Sequence, residues 1–479
     1  MIHLSGWFPT VFLVSEWVIR LAMTPVVVRH RQPTNALAWL AFIYFIPWVG
    51  FLFYLLIGQR FLGRRRCAKY DEARRAARAP IGLALQDPHI VHPAFASAQD
   101  DLVMLCERLS GLPIVGGNEV RFITDSERFI DDLIDDIDHA ENHVHLLFYI
   151  FRDDETGRRV ADALRRAAGR GVVCRLLADS VGSKSLFRTL SRSLQGAGVQ
   201  TVEALPAGIL RRQFRRVDLR NHRKIVIIDG KIGYTGSQNI VNMDYGHKRV
   251  GAWQDVMMRI VGPATIGLQY VFYDDWCAEV GATPDEVHAF PTPETPGEVT
   301  MQIIPSGPNE PTDAFRNVTL AAINEAQSRV ILTTPYFVPD ESLILALQLT
   351  VLRGVRVDLV VPERSDQRLV GAAARSYYTA LLNSGVNVHL HRTGLLHSKT
   401  LSVDNAFALV GSGNLDFRSF FLNFELGVLL YGREVTDRLR AEQEVYIADS
   451  IPLSRRAWLE QPAWRQTARS IAALASPLL

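Results

Sequence analysis

Residues 221–239 read NHRKIVIIDGKIGYTGSQN, and residues 396–414 read LHSKTLSVDNAFALVGSGN. Five residue types recur at one spacing: His222, Lys224, Asp229, Gly236 and Asn239 in the first stretch, His397, Lys399, Asp404, Gly411 and Asn414 in the second. Every member is displaced by 175 positions. A chain that repeats H-x-K-x4-D-x6-G-x2-N in register is expected to contain a duplicated domain, each copy supplying half of one phosphodiester site.

The local pattern places these residues. KIVIID and KTLSVD are apolar, β-branched runs that read as strands, and side chains two apart on a strand share a face, so each His points with its Lys. Asp229-Gly230 and Asp404-Asn405 then form turns into a second apolar run, IGYTG or FALVG, which is a hairpin signature. Gly236 and Gly411 open the small polar segments GSQN and GSGN, where Ser237, Asn239, Ser412 and Asn414 are expected to meet an anion. The repeat runs further. A strand ending in Phe-Tyr-Ile (148–150) precedes the first motif and TTPYFVP (333–339) the second, each followed by a helix and another strand, RGVVCRLLAD or RGVRVDLVVP.

A phosphodiester is anionic and repels nucleophiles. Its cleavage needs cations or dipoles on the non-bridging oxygens, a nucleophile, and a proton for the leaving alkoxide. Lys224, Lys399, Asn239 and Asn414 suit the first task, and the two histidines suit the others: one attacks while the other is acid, then base. The motifs are symmetric, so the residues alone do not say which histidine attacks. An attacking imidazole needs its second nitrogen held, commonly by a carboxylate. Glu425, 28 residues after His397, and Asp255, 33 residues after His222, are the candidates, and the unequal distances imply an insertion in the first copy. Asp229 and Asp404 are expected to orient the hairpins and lysines.

Other chemistries lack a motif. There is no G-x4-G-K-[ST] loop and no G-x-G-x2-G after a strand. His143 with His145, and His389 with His391, share strand faces, but no carboxylate cluster accompanies them, so neither metal nor cofactor is expected. None of Cys67, Cys106, Cys174 and Cys277 forms a C-x2-C pair, which fits a reducing compartment. Net charge is +2 over 479 residues, not that of a general nucleic-acid binder.

The N-terminus points to a membrane. Ala36–Ile57 is uncharged for 22 positions and aromatic-rich, long enough to span a bilayer. Trp7–Val28 is a second candidate span, interrupted by Glu16 and Arg20, whose i, i+4 spacing allows pairing. QRFLGRRRCAKYDEARRAAR follows the second segment, a denser basic cluster than Arg29 and Arg31 between the two, which puts both ends and the body on the cytoplasmic side. Met1-Ile2-His3 lacks the basic region of a cleaved signal. Arg211–Lys224, RRQFRRVDLRNHRK, is suited to gathering anionic headgroups. A tail carrying Trp458 and Trp464 with basic residues is suited either to a membrane interface or to packing on the body.

The two repeated stretches resemble the HKD motifs of the phospholipase D superfamily. With the hydrophobic hairpin and the SPLL terminus, the whole chain resembles the bacterial cardiolipin synthases of that type. The resemblance implies an α/β fold of two αβα-sandwich halves about a pseudo-twofold axis, behind an N-terminal transmembrane helical hairpin. It implies one site at the junction, with His222 as nucleophile and His397 as acid/base. It implies two phosphatidylglycerol substrates, cardiolipin and glycerol as products, and a multi-pass protein of the bacterial inner membrane. The expected boundaries are 1–60 for the hairpin, 61–100 for a linker, 101–283 for the first half, 284–298 for a Pro-rich linker and 299–479 for the second half. A hydrolytic phospholipase D or a related phosphatidyltransferase would carry the same motifs, and an inert acidic-lipid binder would not need paired histidines.

Overall fold

The computed structural model describes residues 7–29, 33–58, 66–75, 89–91, 97–206, 218–246, 250–281, 290–310 and 312–473. They belong to two compact units, Met1–Gly63 with Ala207–Leu219, and Arg64–Pro206 with Arg220–Leu479. The SPLL terminus, residues 211–217 of the basic stretch before the first motif, and residues 59–65 and 76–78 of the basic cluster after the hairpin lie outside the described residues.

In the first unit, Trp7–Arg29 forms one 23-residue helix, long and apolar enough to cross a membrane. The second apolar segment is not the continuous span expected from its composition. It consists of helices Pro33–Phe45 and Pro47–Phe53 running into a wide turn, Tyr54–Gly58. Pro47 is the cause: it has no N–H to give and its ring disfavours helical backbone before it, so Ile46 sits at φ −135°, ψ 77°. Ile19, Met23 and Val27 of the long helix pack with Ala36, Ile43 and Tyr54. Glu16 and Arg20 pair at 3.3 Å, and Arg20 also donates to the Tyr44 carbonyl at 3.2 Å, so neither charge is left alone.

The second unit is built around one sheet. Its first half supplies β1 (Val115–Ile123), β2 (His143–Phe148), β3 (Val173–Asp179), β4 (Gln200–Ala204), β5 (Ile225–Ile228), β6 (Ile232–Gly236), the short β7 (Trp253–Gln254) and β8 (Met257–Val261). The second half supplies β9 (Val299–Ser306), β10 (Arg329–Thr333), the short β11 (Phe337–Val338), β12 (Arg356–Pro362), β13 (Asn387–His391), the short β14 (Leu395–Leu396), β15 (Thr400–Val403), β16 (Phe407–Gly411), the short β17 (Leu415–Asp416), β18 (Glu425–Tyr431) and β19 (Ser450–Pro452). The sheet order β19-β13-β12-β10-β15-β16-β18-β9-β1-β8-β6-β5-β2-β3-β4 reads as two copies of one arrangement placed back to back.

In each copy the parallel strands are separated in sequence by helices, as parallel pairing requires: Glu155–Gly169 lies between β2 and β3, and Glu341–Leu352 between β10 and β12. The motif strands β5-β6 and β15-β16 are the antiparallel hairpins read from the sequence. The copies join where β1 pairs antiparallel with β9, so the halves share one sheet.

Two boundaries differ from expectation. Residues 66–75, assigned to a linker, are helical and belong to the body. Tyr70 stacks on Phe424 at 5.6 Å and donates to Asp275 at 3.2 Å, while Arg74 pairs with Asp274 at 3.2 Å. A charged run was legible there, but not that Tyr70 and Ala73 make it amphipathic enough to dock. Residues 124–127, T-D-S-E, have the pattern of a capping box opened by Thr124, yet the helix Ser126–Asp138 is capped by Asp125, which accepts from the Glu127 and Arg128 amides.

Candidate active site

Each motif is anchored at its turn by its aspartate. Asp229, at φ +54°, accepts from the amides of Glu141, Asn142 and His143 at 2.7–2.9 Å. Asp404, at φ +49°, accepts from those of Gln327, Ser328 and Arg329 at 2.7–2.8 Å. These carboxylates clamp the hairpin to the chain just before β2 or β10, at the far end of the motif strand from the histidine. Among the described residues neither pairs with a lysine, so any effect on Lys224 or Lys399 passes through the hairpin they anchor.

The histidines are held across the two halves. The His222 amide donates to the Phe424 carbonyl at 2.9 Å, and the next residue, Glu425, accepts a hydrogen bond from His222 Nδ1 at 3.0 Å. The His397 amide donates to the Gln254 carbonyl at 2.8 Å, and the next residue, Asp255, accepts a hydrogen bond from His397 Nδ1 at 2.6 Å. The wiring is therefore crossed. Glu425 follows His397 in sequence but serves His222, and Asp255 serves His397. With Nδ1–H committed to a carboxylate, each ring carries its free lone pair on Nε2.

The lysines lie on the same strand faces, and each Nζ folds back on the carbonyl of its own motif histidine, Lys224 on His222 at 2.6 Å and Lys399 on His397. Ser237 and Ser412, expected at an anion, instead give their hydroxyls to the carboxylates, Ser237 to Asp255 and Ser412 to Glu425, each at 2.6 Å. Their amides are spent as well, on the Val256 and Leu426 carbonyls at 2.9 Å. Those carbonyls explain the motif glycines: a Cβ on Gly236 would lie 2.2 Å from the Val256 oxygen, and one on Gly411 2.2 Å from that of Leu426. Asn239 accepts from the Ile150 amide at 3.1 Å, and Asn414 donates to Asp416 at 3.1 Å.

All six ionisable groups are buried, and burial sets their protonation. It lowers Lys224 to about 7 and Lys399 to about 8, against the pull of Glu425 and Asp255. Burial likewise lowers His222, and lowers His397 to about 4, so both imidazoles are neutral near pH 7. Burial opposes the ionised carboxylates, yet their histidine, lysine and serine partners together outweigh it and hold Glu425 and Asp255 at about 2. Lys399 also acts on His222, and Lys224 on His397, so the two motifs share one electrostatic site.

Several residues at the site escaped the sequence reading. Arg223, the unspecified residue of the first motif, is fully buried. It pairs with Asp275 at 2.9 Å and donates to the Glu425 and Ser306 carbonyls at 3.0 and 3.1 Å. Asn221 donates to the same Asp275 oxygen at 2.9 Å, so Asp275 braces the chain on both sides of His222. The second motif has Leu396 and Ser398 at these places. Tyr149 stands edge-on to His222 at 4.8 Å, and Trp253 lies 4.4 Å from His397. Trp253 belongs to the inserted first-half segment, which was the available signal. Ser419 and Asn423 add donors to Glu425 at 2.9 and 3.2 Å.

A duplicated α/β fold with one His-Lys motif per copy, each histidine held by a carboxylate of the other copy, defines a two-motif phospholipase D-like protein. Residues 133–249 and 319–445 match the family described as cardiolipin synthase, PLD-like domain, and residues 18–59 match the phospholipase D-nuclease N-terminal family. Cardiolipin synthase A of Escherichia fergusonii is 37% identical over 479 residues, covering 98% of both chains, and that of Klebsiella pneumoniae gives the same identity and coverage. The crystal structure of phosphatidylserine synthase from Haemophilus influenzae superposes with TM-score 0.61 at 17% identity, over 79% of this chain and 100% of that one, a likeness of fold. The chain belongs to the phospholipase D-like cardiolipin synthase family.

Proposed function

We infer that this chain is a cardiolipin synthase, moving a phosphatidyl group from one phosphatidylglycerol to another. The carrying observation is the crossed pairing of His222 with Glu425 and His397 with Asp255. Two neutral imidazoles with oriented Nε2 lone pairs, beside two buried lysines, suit double displacement at an anionic phosphorus.

In this reading His222 Nε2 attacks phosphorus and the bond to the glycerol oxygen breaks. That oxygen takes a proton from His397, which the arriving phosphate favours in its charged form. Glycerol leaves. The hydroxyl of a second phosphatidylglycerol gives its proton to neutral His397, its oxygen attacks phosphorus, and the bond to His222 breaks. One phosphodiester replaces another, so the reaction needs no nucleotide. Lys224 and Lys399, with Asn239 and Asn414, offset charge on the non-bridging oxygens. Glu425 receives more donors than Asp255, which supports the better-fixed His222 as nucleophile.

The same reading places the protein in the bacterial inner membrane with the catalytic body in the cytoplasm. The apolar length of Trp7–Arg29 supports membrane attachment, and the basic residues after the apolar segments support a cytoplasmic body. The expected divisions at 101–283 and 299–479 are proposed as the units of duplication, resting on the repeated strand order.

The test is His222→Ala and His397→Ala, assayed singly and mixed. Each should abolish turnover while keeping the unfolding transition, and the mixture should stay inactive because one chain builds the whole site. Substantial transfer by both single variants would refute a shared site.

A further inference from the structure

The duplicated fold contains its own control for surface chemistry. The helices Glu155–Gly169 and Glu341–Leu352 occupy equivalent places, each crossing between the first two parallel strands of its half. The first is an ordinary amphipathic surface helix. Its outward residues Arg158, Asp162 and Arg166 are charged, and they pair with Asp153, Arg165 and Asp138. The second turns leucines outward at i, i+4 and i+7: Leu345, Leu349 and Leu352 are 54%, 47% and 76% exposed. Its inner face is already satisfied, with Leu343, Ala346, Leu347 and Thr350 buried.

A second exposed stripe lies close by. The helix Ala463–Ala473 packs along Arg368–Ser384, which in turn packs against Glu341–Leu352. It exposes Trp464 and Ile471 at i and i+7, 67% and 63%. Around the stripes the exposed charge is mainly positive. Residues 453–473 hold Arg455, Arg456, Arg465 and Arg469 against one acid, Glu460, and Arg364, Arg368 and exposed Leu369 flank the start of the intervening helix.

We propose that this face of the second half, the outer side of Glu341–Leu352 with the helix Ala463–Ala473, is a membrane-docking surface that seats on an anionic phospholipid leaflet. Exposed leucines at helical spacing with a tryptophan and an arginine border have the chemistry of an interfacial element. Arginine gains from an anionic leaflet, whereas a protein partner would call for acidic complements. The chain's own membrane helix keeps a bilayer within reach. The matching face of the first half, covered in paired charges, has no such affinity, so docking would be one-sided. The proposal rests on the reading that the substrate is a bilayer lipid, and its test reads position rather than turnover, so the two can fail separately.

The experiment uses the full chain, one copy per phospholipid nanodisc containing phosphatidylglycerol. Cys67→Ser removes the one partly exposed cysteine, the other three being buried. Leu349→Cys then carries an environment-sensitive fluorophore, and Asp162→Cys carries it at the equivalent first-half face. The expected result is blue-shifted emission at 349, quenched by lipids bearing a nitroxide near the headgroup, with neither effect at 162. Water-like emission at both sites would overturn the proposal. So would a blue shift at 349 without lipid quenching, which would mean that protein covers the stripe, and energy transfer between labelled chains in detergent would identify it as a second copy.

Discussion

Glu425→Gln is the most informative single change. Glu425 is fully buried and receives four donors: His222 Nδ1 at 3.0 Å, Ser412 at 2.6 Å, Ser419 at 2.9 Å and Asn423 at 3.2 Å. The amide removes the charge that these donors converge on. It also presents an N–H where a carboxylate oxygen stood, favouring the imidazole tautomer with its proton on Nε2, the wrong nitrogen for attack. Where an orienting carboxylate is neutralised in this way, turnover falls by roughly 10⁴-fold, which is about 5.5 kcal/mol at ~1.4 kcal/mol per tenfold. Asp255→Asn should act on His397 instead. A diester with a nitrophenol leaving group separates the two, because nitrophenolate needs no proton. Rapid mixing should show Asp255→Asn releasing a burst of nitrophenol and then stalling, while Glu425→Gln gives none. The reverse pattern would exchange the roles of the histidines, and equal loss in both would refute a division of labour.

Four further outcomes follow from the geometry. Asp275→Asn keeps a hydrogen bond to Asn221 but leaves the buried Arg223 guanidinium without its counter-charge, so stability should drop by roughly 3–5 kcal/mol, with kcat falling in whatever folds. Chemical unfolding in detergent checks this, and an unchanged transition would show that Arg223 is satisfied by carbonyls alone. Asp404→Ala strips acceptors from three amides at 2.7–2.8 Å and should lower stability by about 1–3 kcal/mol with near-normal specific activity. Inactivity at unchanged stability would put Asp404 in the chemistry. Gly236→Ala would force a Cβ within 2.2 Å of the Val256 oxygen at φ +153°, so little folded protein should form, and a normal yield would contradict the strand placement. Lys224 and Lys399 lose their charge as pH rises through about 7 and 8. Accordingly kcat/KM should fall on the alkaline side, while kcat holds to higher pH because bound phosphate raises both lysines; a kcat/KM flat to pH 10 would refute the lysine assignment.

What the sequence made legible was what local pattern controls. Alternation put His222 with Lys224 on one strand face, the Asp-Gly and Asp-Asn turns closed the hairpins, and the fixed 175-residue displacement announced the duplication. The partner assignment is a different kind of information. Asp255 reaches His397 across 142 positions and Glu425 reaches His222 across 203, and periodicity says nothing about contacts of that range. The serines were misjudged for the same reason, since their positions suit an anion and only the neighbouring strand reveals that carboxylates are already there. Arg223 was hidden as the variable residue of a motif. In the N-terminal unit composition overrode a local rule: 22 uncharged residues read as one span, and Pro47 divides them.

The central claim is tested most directly by giving the purified full-length protein phosphatidylglycerol, labelled in the headgroup glycerol and in the acyl chains, with no other lipid, nucleotide or added metal. The account requires one glycerol released for each cardiolipin formed, with transient acyl label on His222 in protein quenched with cold denaturant at neutral pH, where both the P–N bond and the acyl esters survive. Phosphatidic acid in place of cardiolipin, or cardiolipin formed with no label ever on a histidine, would contradict it.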